Sequence, residues 1–294
     1  MHYKTAIIGL GTIAQYHAKA IRSSEQFDLC AVCDIRKESA QNILNQDLPF
    51  FTDYEELLDI IHPDVAVITT PPSSHYAIAK ACISRHIIPF VEKPLAASQE
   101  EGELFFTPEM HGFVPVCHTL YGPEMLWLTH HMPLQQIQSI HMTLDDPYAD
   151  ENGQIDNRFL PLGGCWLDSA PNALAPLLRI IPNLSNVHVT HARDKIHNLP
   201  YATTFTAQYL TTQITIDLAW NRHLNHKQTN IEADGKQIVI NHSAQAVIID
   251  GQEVFRAQTD RLTDQYTNFY RIYPERVPTI ETQQQMYNII YSNM

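Results

Sequence analysis

The stretch "AIIGLGTIAQYHAKAI", Ala6 to Ile21, decides how the first half of the chain folds. A short apolar run reaches Gly9, passes Gly11 and Ala14, and then becomes amphipathic at helical spacing. Gly9 permits a tight turn, Gly11 lets backbone approach a pyrophosphate, and the small Ala14 lets helix and strand pack closely. The helix start, through Thr12, Ile13 and Ala14, offers free N–H groups and a partial positive charge to phosphate. Glycine is scarce here, with 10 in 294 residues, about half the usual ~7 %. Where it is that rare, a G-x-G-x-x-A between the first strand and the first helix carries weight.

The same alternation continues to about His118. Strands are expected at "YKTAIIG", "FDLCAVC", "PFF", "DVAVITT", "IIPFVEKP" and "GFVPVCH". Helices are expected at Thr12–Ser23, Arg36–Gln46, "DYEELLDII" and Ser74–Ser84. Strands separated by helices need crossovers, so this half reads as a Rossmann, doubly wound parallel sheet. After Thr119 strands follow one another: "IQSIHMTLDD", "NVHVTHA", "TTFTAQYL", "QITIDLAW", "TNIEA", "KQIVIN" and "AVIID", with hairpin turns at Asp234-Gly235 and Asp250-Gly251. Helices are expected at Ala170–Ile180, Thr263–Tyr273 and Thr279–Tyr291. The expectation is an α/β chain of two domains. Residues 1–119 would bind a dinucleotide, and residues 120–294 would form an α+β domain with an open, largely antiparallel sheet for substrate binding and oligomerisation.

Composition narrows the partners. The formal net charge is −13, which repels phosphate backbones and anionic lipid, so neither nucleic acid nor membrane is expected. No apolar run nears the roughly 20 residues of a membrane span. "MHYKTAIIGLGTIAQYHAKA" loosely mimics a signal peptide but is interrupted by Gly9, Gly11 and Gln15. Five scattered cysteines, an odd number, point to a reducing cytoplasm, and Cys30-x-x-Cys33 lies within a strand pattern rather than at a helix start. The 16 histidines show no metal-ligand spacing, and no metal is expected.

The second strand ends at Asp34, twenty residues beyond Ala14. An acid there accepts hydrogen bonds from ribose hydroxyls and repels a ribose phosphate, favouring NAD; Arg36 and Lys37 follow at once and keep NADP as the alternative.

"VITTPPSSHYAIAKACI" and "VEKPLA" add a more specific signal. With the glycine turn and "VCDIRKESA" they make the N-terminal half resemble the Gfo/Idh/MocA family of nicotinamide-dependent sugar and polyol oxidoreductases. The resemblance implies a catalytic Lys93 at the nicotinamide within Glu92-Lys93-Pro94. It also implies Thr70 and Pro71 along the cofactor, with His75 nearby and Glu92 among the cofactor residues. In the second half, "LGGCWLDSAPNALAPL" resembles the family's glycine run followed by an aspartate and, four residues on, a histidine. Gly163, Gly164 and Asp168 match; Asn172 stands in the histidine's place and Ala170 replaces a customary glycine. This version resembles the L-arabinose and D-galactose 1-dehydrogenase branch, which oxidises an aldose at its anomeric carbon to a lactone.

The residue chemistry fits that implication. A helix starting near Ser169 or Ala170, with Pro171 in its first turn, puts Asp168 and Asn172 on one side, where a carboxylate and an amide can engage neighbouring sugar hydroxyls. An amide cannot take a proton, so Asp168 is the expected base, Lys93 holds the reacting oxygen, and Asn172 orients the sugar. Asp156, Asn157 and Arg158 are further hydroxyl partners. Two rival readings stay open: oxidation of a ring hydroxyl of a sugar, inositol or nucleotide-sugar, and a silent NAD(P)-binding sensor. A cytoplasmic homo-oligomer, dimer or tetramer, is the expected assembly.

Overall fold

The computed structural model describes residues 2–43, 48–132 and 134–294. The chain divides into two compact units, Met1–His118 with Leu262–Gln284, and Thr119–Arg261 with Gln285–Met294.

The first unit is a Rossmann-type parallel sheet. Its strands are β1 (Tyr3–Ile8), β2 (Phe27–Cys33), β3 (Phe50–Phe51), β4 (Val65–Ile68), β5 (Ile88–Glu92) and β6 (Val114–Val116), in the order β3-β2-β1-β4-β5-β6. All neighbouring pairs are parallel. Val65, Ala66, Val67 and Ile68 are each 0 % exposed, as expected of a strand covered on both faces. The crossovers run through α1 (Thr12–Arg22), α2 (Tyr54–Ile61) and α3 (His75–Ser84), and the short α4 (Gln99–Leu104) follows β5. Asp53 caps α2 by accepting the Glu55 N–H. In place of the helix expected at Arg36–Gln46 there is a 3-10 segment, Lys37–Asn42; residues 44–47 lie outside those described.

The second unit holds α5 (Pro123–His131), β7 (Ile137–Pro147), α6 (Gly164–Ile180), β8 (Ser185–Arg193), β9 (Pro200–Tyr209), β10 (Thr212–Ala219), β11 (Asn221–Ala233), β12 (Lys236–Asn241), β13 (Ala246–Ile249) and β14 (Gln252–Arg256). The sheet order is β14-β13-β12-β11-β7-β10-β9-β8. Every pair is antiparallel except β7 with β10, which are parallel. Asp234 and Gly235, and Asp250 and Gly251, all have positive φ, as the two tight hairpins require. Along β7, Ile140, Met142 and Leu144 are buried; along β10, Ile214, Ile216 and Leu218 are buried. The intervening residues form a polar face where His141 Nε2 and Thr204 Oγ1 contact the Asp217 carboxylate at 2.8 and 2.7 Å.

α7 (Arg261–Ile272) and α8 (Ile280–Tyr291) complete the chain. The sequence places this whole region with the second half, but Leu262–Gln284 belongs to the first unit. The cause is an aromatic cluster. Phe269 and Tyr270 from α7, with Tyr273, pack on Phe27 of β2 and Phe90 of β5, with ring centroids 4.9 to 5.7 Å apart in four of the contacts. Helical periodicity gives the apolar face of α7 but not its destination. Phe269→Ala is expected to cost about 3–5 kcal/mol, seen as a lower urea midpoint by far-UV circular dichroism. An unchanged midpoint would show that α7 is not part of the first unit's core.

Candidate functional site

The carboxyl ends of β1, β2, β4 and β5 carry the first group of predicted residues. Gly9 leaves β1 with φ +94°, and a Cβ built there would lie 2.7 Å from the Thr70 backbone nitrogen. Its N–H donates to Cys33 O at 2.8 Å, and its carbonyl accepts the Thr69 hydroxyl at 2.6 Å. Gly9 is thus required by the chain's own packing. Gly11 is not. Its φ is −73° and a Cβ there would meet nothing within 4 Å. Neither torsion nor protein contact calls for glycine at this position, and the space beside it is open. α1 also lacks a side-chain cap and has no acid in its first turn. Its first N–H groups, at Thr12, Ile13 and Ala14, remain for an anion. Ala14 is 0 % exposed and serves packing.

Asp34 is tied into this turn. Its Oδ2 accepts the Leu10 N–H at 2.8 Å and its Oδ1 accepts the Arg36 N–H at 2.8 Å. Each oxygen keeps a second lone pair for a ribose hydroxyl. The Arg36 side chain is 71 % exposed, with Nε 3.9 Å from Asp34 Oδ1. Between them Ile35 is 86 % exposed, an apolar surface beside the acid that the sequence reading passes over. These features fit a dinucleotide: an uncapped helix end and an open Gly11 for phosphates, and an acid for the ribose.

Thr70 and Pro71 open the turn after β4. The Thr70 hydroxyl accepts from Ser74 Oγ at 2.8 Å, and Pro71 is exposed. His75 is 1 % exposed and lies behind this turn. Its Nε2 is 2.7 Å from Thr70 O and its Nδ1 3.3 Å from Leu95 O, so it joins the β4 turn to the loop carrying Lys93. Burial lowers the His75 pKa against the opposing pull of those carbonyls.

Glu92 ends β5 and is 5 % exposed. Burial pushes its carboxyl up, but the hydrogen bond and charge of His17, the His118 charge and the Tyr266 hydroxyl outweigh it, bringing the pKa to about 2. Lys93 follows, half-buried. Cys33, the second thiol of the C-x-x-C, is pushed up to about 12 by burial, then by the Asp34 and Asp53 charges, which removes thiolate chemistry at neutral pH.

In the second unit α6 begins at Gly164, six residues before the expected start at Ala170. Gly163 and Gly164 have φ +76° and +89°, and a Cβ on Gly164 would lie 2.7 Å from Pro200 O. The glycine pair therefore serves a sharp entry into α6 against β9. Pro171 is consequently inside the helix, as is Pro176. Lacking N–H groups, these prolines leave Leu167 O and Asn172 O without their usual helical donors. Asp168 and Asn172 stay one turn apart; Asp168 is 6 % exposed and Asn172 half-buried.

The surroundings of Asp168 include residues the sequence reading misses. Lys227, on β11, is 7 % exposed. Its Nζ contacts Asp146 Oδ1 at 2.6 Å and Asn225 Oδ1 at 2.9 Å. Burial lowers the Lys227 pKa, while Asp146 and, more weakly, Asp168 hold it up. Tyr148 stacks on Phe159 at 4.0 Å and is pushed up to about 12 by burial, then by Asp146 and Asp168. The available signal was register: Lys227 alternates with Thr229, Ile231 and Ala233, which are all buried. Asp156 and Arg158 instead pair with each other at 2.7 Å, and Asn157 is exposed. A groove of about 770 Å³ elsewhere on the second sheet, bordered by His191, Asp217 and Arg222, contains none of the predicted site residues. Among the described residues no group of three or more His, Cys, Asp or Glu could hold a metal. No described helix is long and apolar enough to cross a membrane.

Two outcomes follow from the first unit. Gly11→Ala should leave thermal stability unchanged or slightly raised, by about 0.4–1 kcal/mol, yet weaken NADH binding about tenfold or more, or 1.4 kcal/mol. Gly9→Ala should destabilise the fold itself. Full NADH affinity in Gly11→Ala by fluorescence titration would rule out the phosphate position. Secondly, Glu92 folds with its pKa lowered from 4.5 to about 2, so its contribution is present above pH 4.5 and is lost as pH falls toward 2. Glu92→Gln should remove that part of the acid sensitivity; identical acid unfolding curves for the two proteins would contradict it.

Comparison with known proteins agrees with this geometry. Residues 3–107 match the family model described as Oxidoreductase family, NAD-binding Rossmann fold (GFO_IDH_MocA). The inositol 2-dehydrogenase/D-chiro-inositol 3-dehydrogenase of Lactiplantibacillus plantarum is 32 % identical over 102 residues, 33 % of this chain and 29 % of that protein. The UDP-N-acetylglucosamine 3-dehydrogenase of Acidithiobacillus ferrooxidans is 28 % identical over 104 residues, 35 % of this chain and 32 % of that protein. These matches thus span under a third of each relative's length. The fold likeness is longer. A solved structure of the Acidithiobacillus enzyme gives a TM-score of 0.79 at 17 % identity, covering 99 % of this chain and 95 % of that one. Levoglucosan dehydrogenase, solved with NADH and levoglucosan, gives 0.80 at 14 % identity, with 99 % and 95 % covered. Residues 3–107, which carry the glycine turn, Asp34 and the Glu92-Lys93-Pro94 strand end, thus match the Gfo/Idh/MocA model of NAD-binding Rossmann oxidoreductases.

Proposed function

We propose that the protein is an NAD-dependent dehydrogenase of a polyhydroxylated ring, with an aldose oxidised at its anomeric carbon as the leading substrate. The observation that carries the cofactor assignment is Gly11, a glycine with no torsional or packing reason of its own at an uncapped helix start. Gly9, Gly11 and the N–H groups of Thr12, Ile13 and Ala14 are assigned to the pyrophosphate, Asp34 to the adenosine ribose, and Thr70 and Pro71 to the cofactor's edge. Asp34 favours NAD; the exposed Arg36 is the group that would serve NADP. His75 and Glu92 contribute by holding the loops rather than by touching the ligand, since both are buried.

NAD, when bound, supplies the hydride acceptor. The chain's own part is to hold the hydroxyl and remove its proton. Lys93 is assigned to the reacting oxygen, Asp168 to the proton as general base, and Asn172 to orientation of the sugar. The Asn172 carbonyl, left without a helical donor by Pro176, is a further acceptor beside its amide. An asparagine in this place supports the anomeric carbon. The second reading, a ring hydroxyl, is supported by the relatives, whose names place their action at inositol 2- and 3-positions and at the sugar 3-position.

Turnover over a panel of free sugars, their methyl glycosides, inositols and nucleotide-sugars separates the two. A free aldose should be oxidised and its methyl glycoside should not; equal turnover of both would establish the ring hydroxyl instead. Asp168→Asn and Lys93→Met should each lose ~10²-fold or more in kcat while still binding NADH, and Asn172→Ala should chiefly raise KM. Near-wild-type kcat in Asp168→Asn would remove it as the base.

A further inference from the structure

A carboxylate in a protein core is costly unless donors satisfy it. Glu92, at the end of β5, is well supplied. Its Oε1 accepts from His17 Nε2 at 2.9 Å and from the Tyr266 hydroxyl at 2.7 Å. Its Oε2 accepts the backbone N–H of Lys93 at 3.0 Å. The Tyr270 hydroxyl lies 2.6 Å from His17 Nδ1 and fixes the ring from its other side. An ionised carboxylate has no proton to give, so His17 Nε2 is the donor. His17, Tyr266 and Tyr270 are all 0 % exposed. Stability alone does not account for such a cluster, because apolar residues of similar volume fill a core as well or better than buried charge. What the cluster does in space is hold the main chain of Lys93. The reach of a long, flexible lysine is set by where its backbone sits, and a misplacement of about 1 Å at a reacting group can cost about 10²-fold in rate.

We propose that Glu92 is a positioning residue for Lys93, and that His17, Tyr266 and Tyr270 act through it. This rests on the assignment of Lys93 to the reacting oxygen. It also makes α7, whose Tyr266 stands 174 residues after Glu92, part of the apparatus that sets the lysine.

Amide hydrogen exchange gives a test independent of turnover. In the double variant His17→Leu/Tyr266→Phe, the Lys93 amide should exchange about tenfold faster or more, with the Gly9 and Thr70 amides unchanged. In the same protein kcat should fall about 10- to 100-fold while KM for NAD and for the sugar stays within about threefold. His17→Gln, whose side-chain amide can still donate, should retain most of kcat. If the double variant fails to fold, Tyr266→Phe alone is read in the same way, with smaller effects. Unchanged Lys93 exchange overturns the proposal, and so does an equal rise at Gly9 and Thr70, which would mean general loosening. Wild-type turnover in Lys93→Met, beside the expected exchange result, would instead overturn the assignment of Lys93 and leave the positioning of its main chain standing.

Discussion

Gly9 approaches the backbone of Thr69 and Thr70 so closely that no methyl group fits between them. That contact fixes the exit of β1 against the exit of β4, the two neighbours at which the strand order of a Rossmann sheet reverses. Asp34 then draws the end of β2 into the same turn through the Leu10 N–H, and His75 links the turn after β4 to the loop after β5. Four strand ends are therefore set relative to one another by side-chain contacts to the main chain and one steric limit. Gly11 differs from Gly9 in this respect, since a Cβ there would meet nothing within 4 Å.

The second unit places its chemistry by another rule. From Ile140 along β7 and from Lys227 to Ile231 along β11 buried residues alternate with more exposed ones, so position along these runs decides which face a residue occupies. Asp146 falls in the register of Ile140, Met142 and Leu144, and Lys227 in that of Thr229 and Ile231. Both are carried inward as charges and must pair; they do so at 2.6 Å. Asp168 adds a weaker charge that helps hold the Lys227 pKa up.

The parallel half is legible from its sequence because each element signals itself locally. Glycines mark the first turn, β-branched runs mark buried strands, and Asp34 directly follows β2, one residue beyond the strand end at Cys33. The start of α6 is less legible because Pro171 resembles a first-turn proline, whereas the positive φ of Gly163 and Gly164 begins the helix earlier and burial along α6 offsets the lost hydrogen bonds. Partners distant in sequence are not legible at all. Nothing near Glu92 announces Tyr266, and the apolar face of α7 does not name Phe27 and Phe90 as its seat. Lys227 lies between these cases, since a lysine in an inward register is a visible anomaly even when its counter-ion is not.

The return of Leu262–Gln284 to the first unit has a consequence for synthesis. A ribosome delivers the β1 to β6 sheet early, yet Phe27 and Phe90 meet their aromatic partners only after the whole second sheet has been made. Glu92 likewise waits for Tyr266. Domains commonly fold in the order in which they are translated, but here the half that is started first is the half that is finished late. Until then its core carries an uncovered aromatic face, an interval in which a chaperone has something to hold.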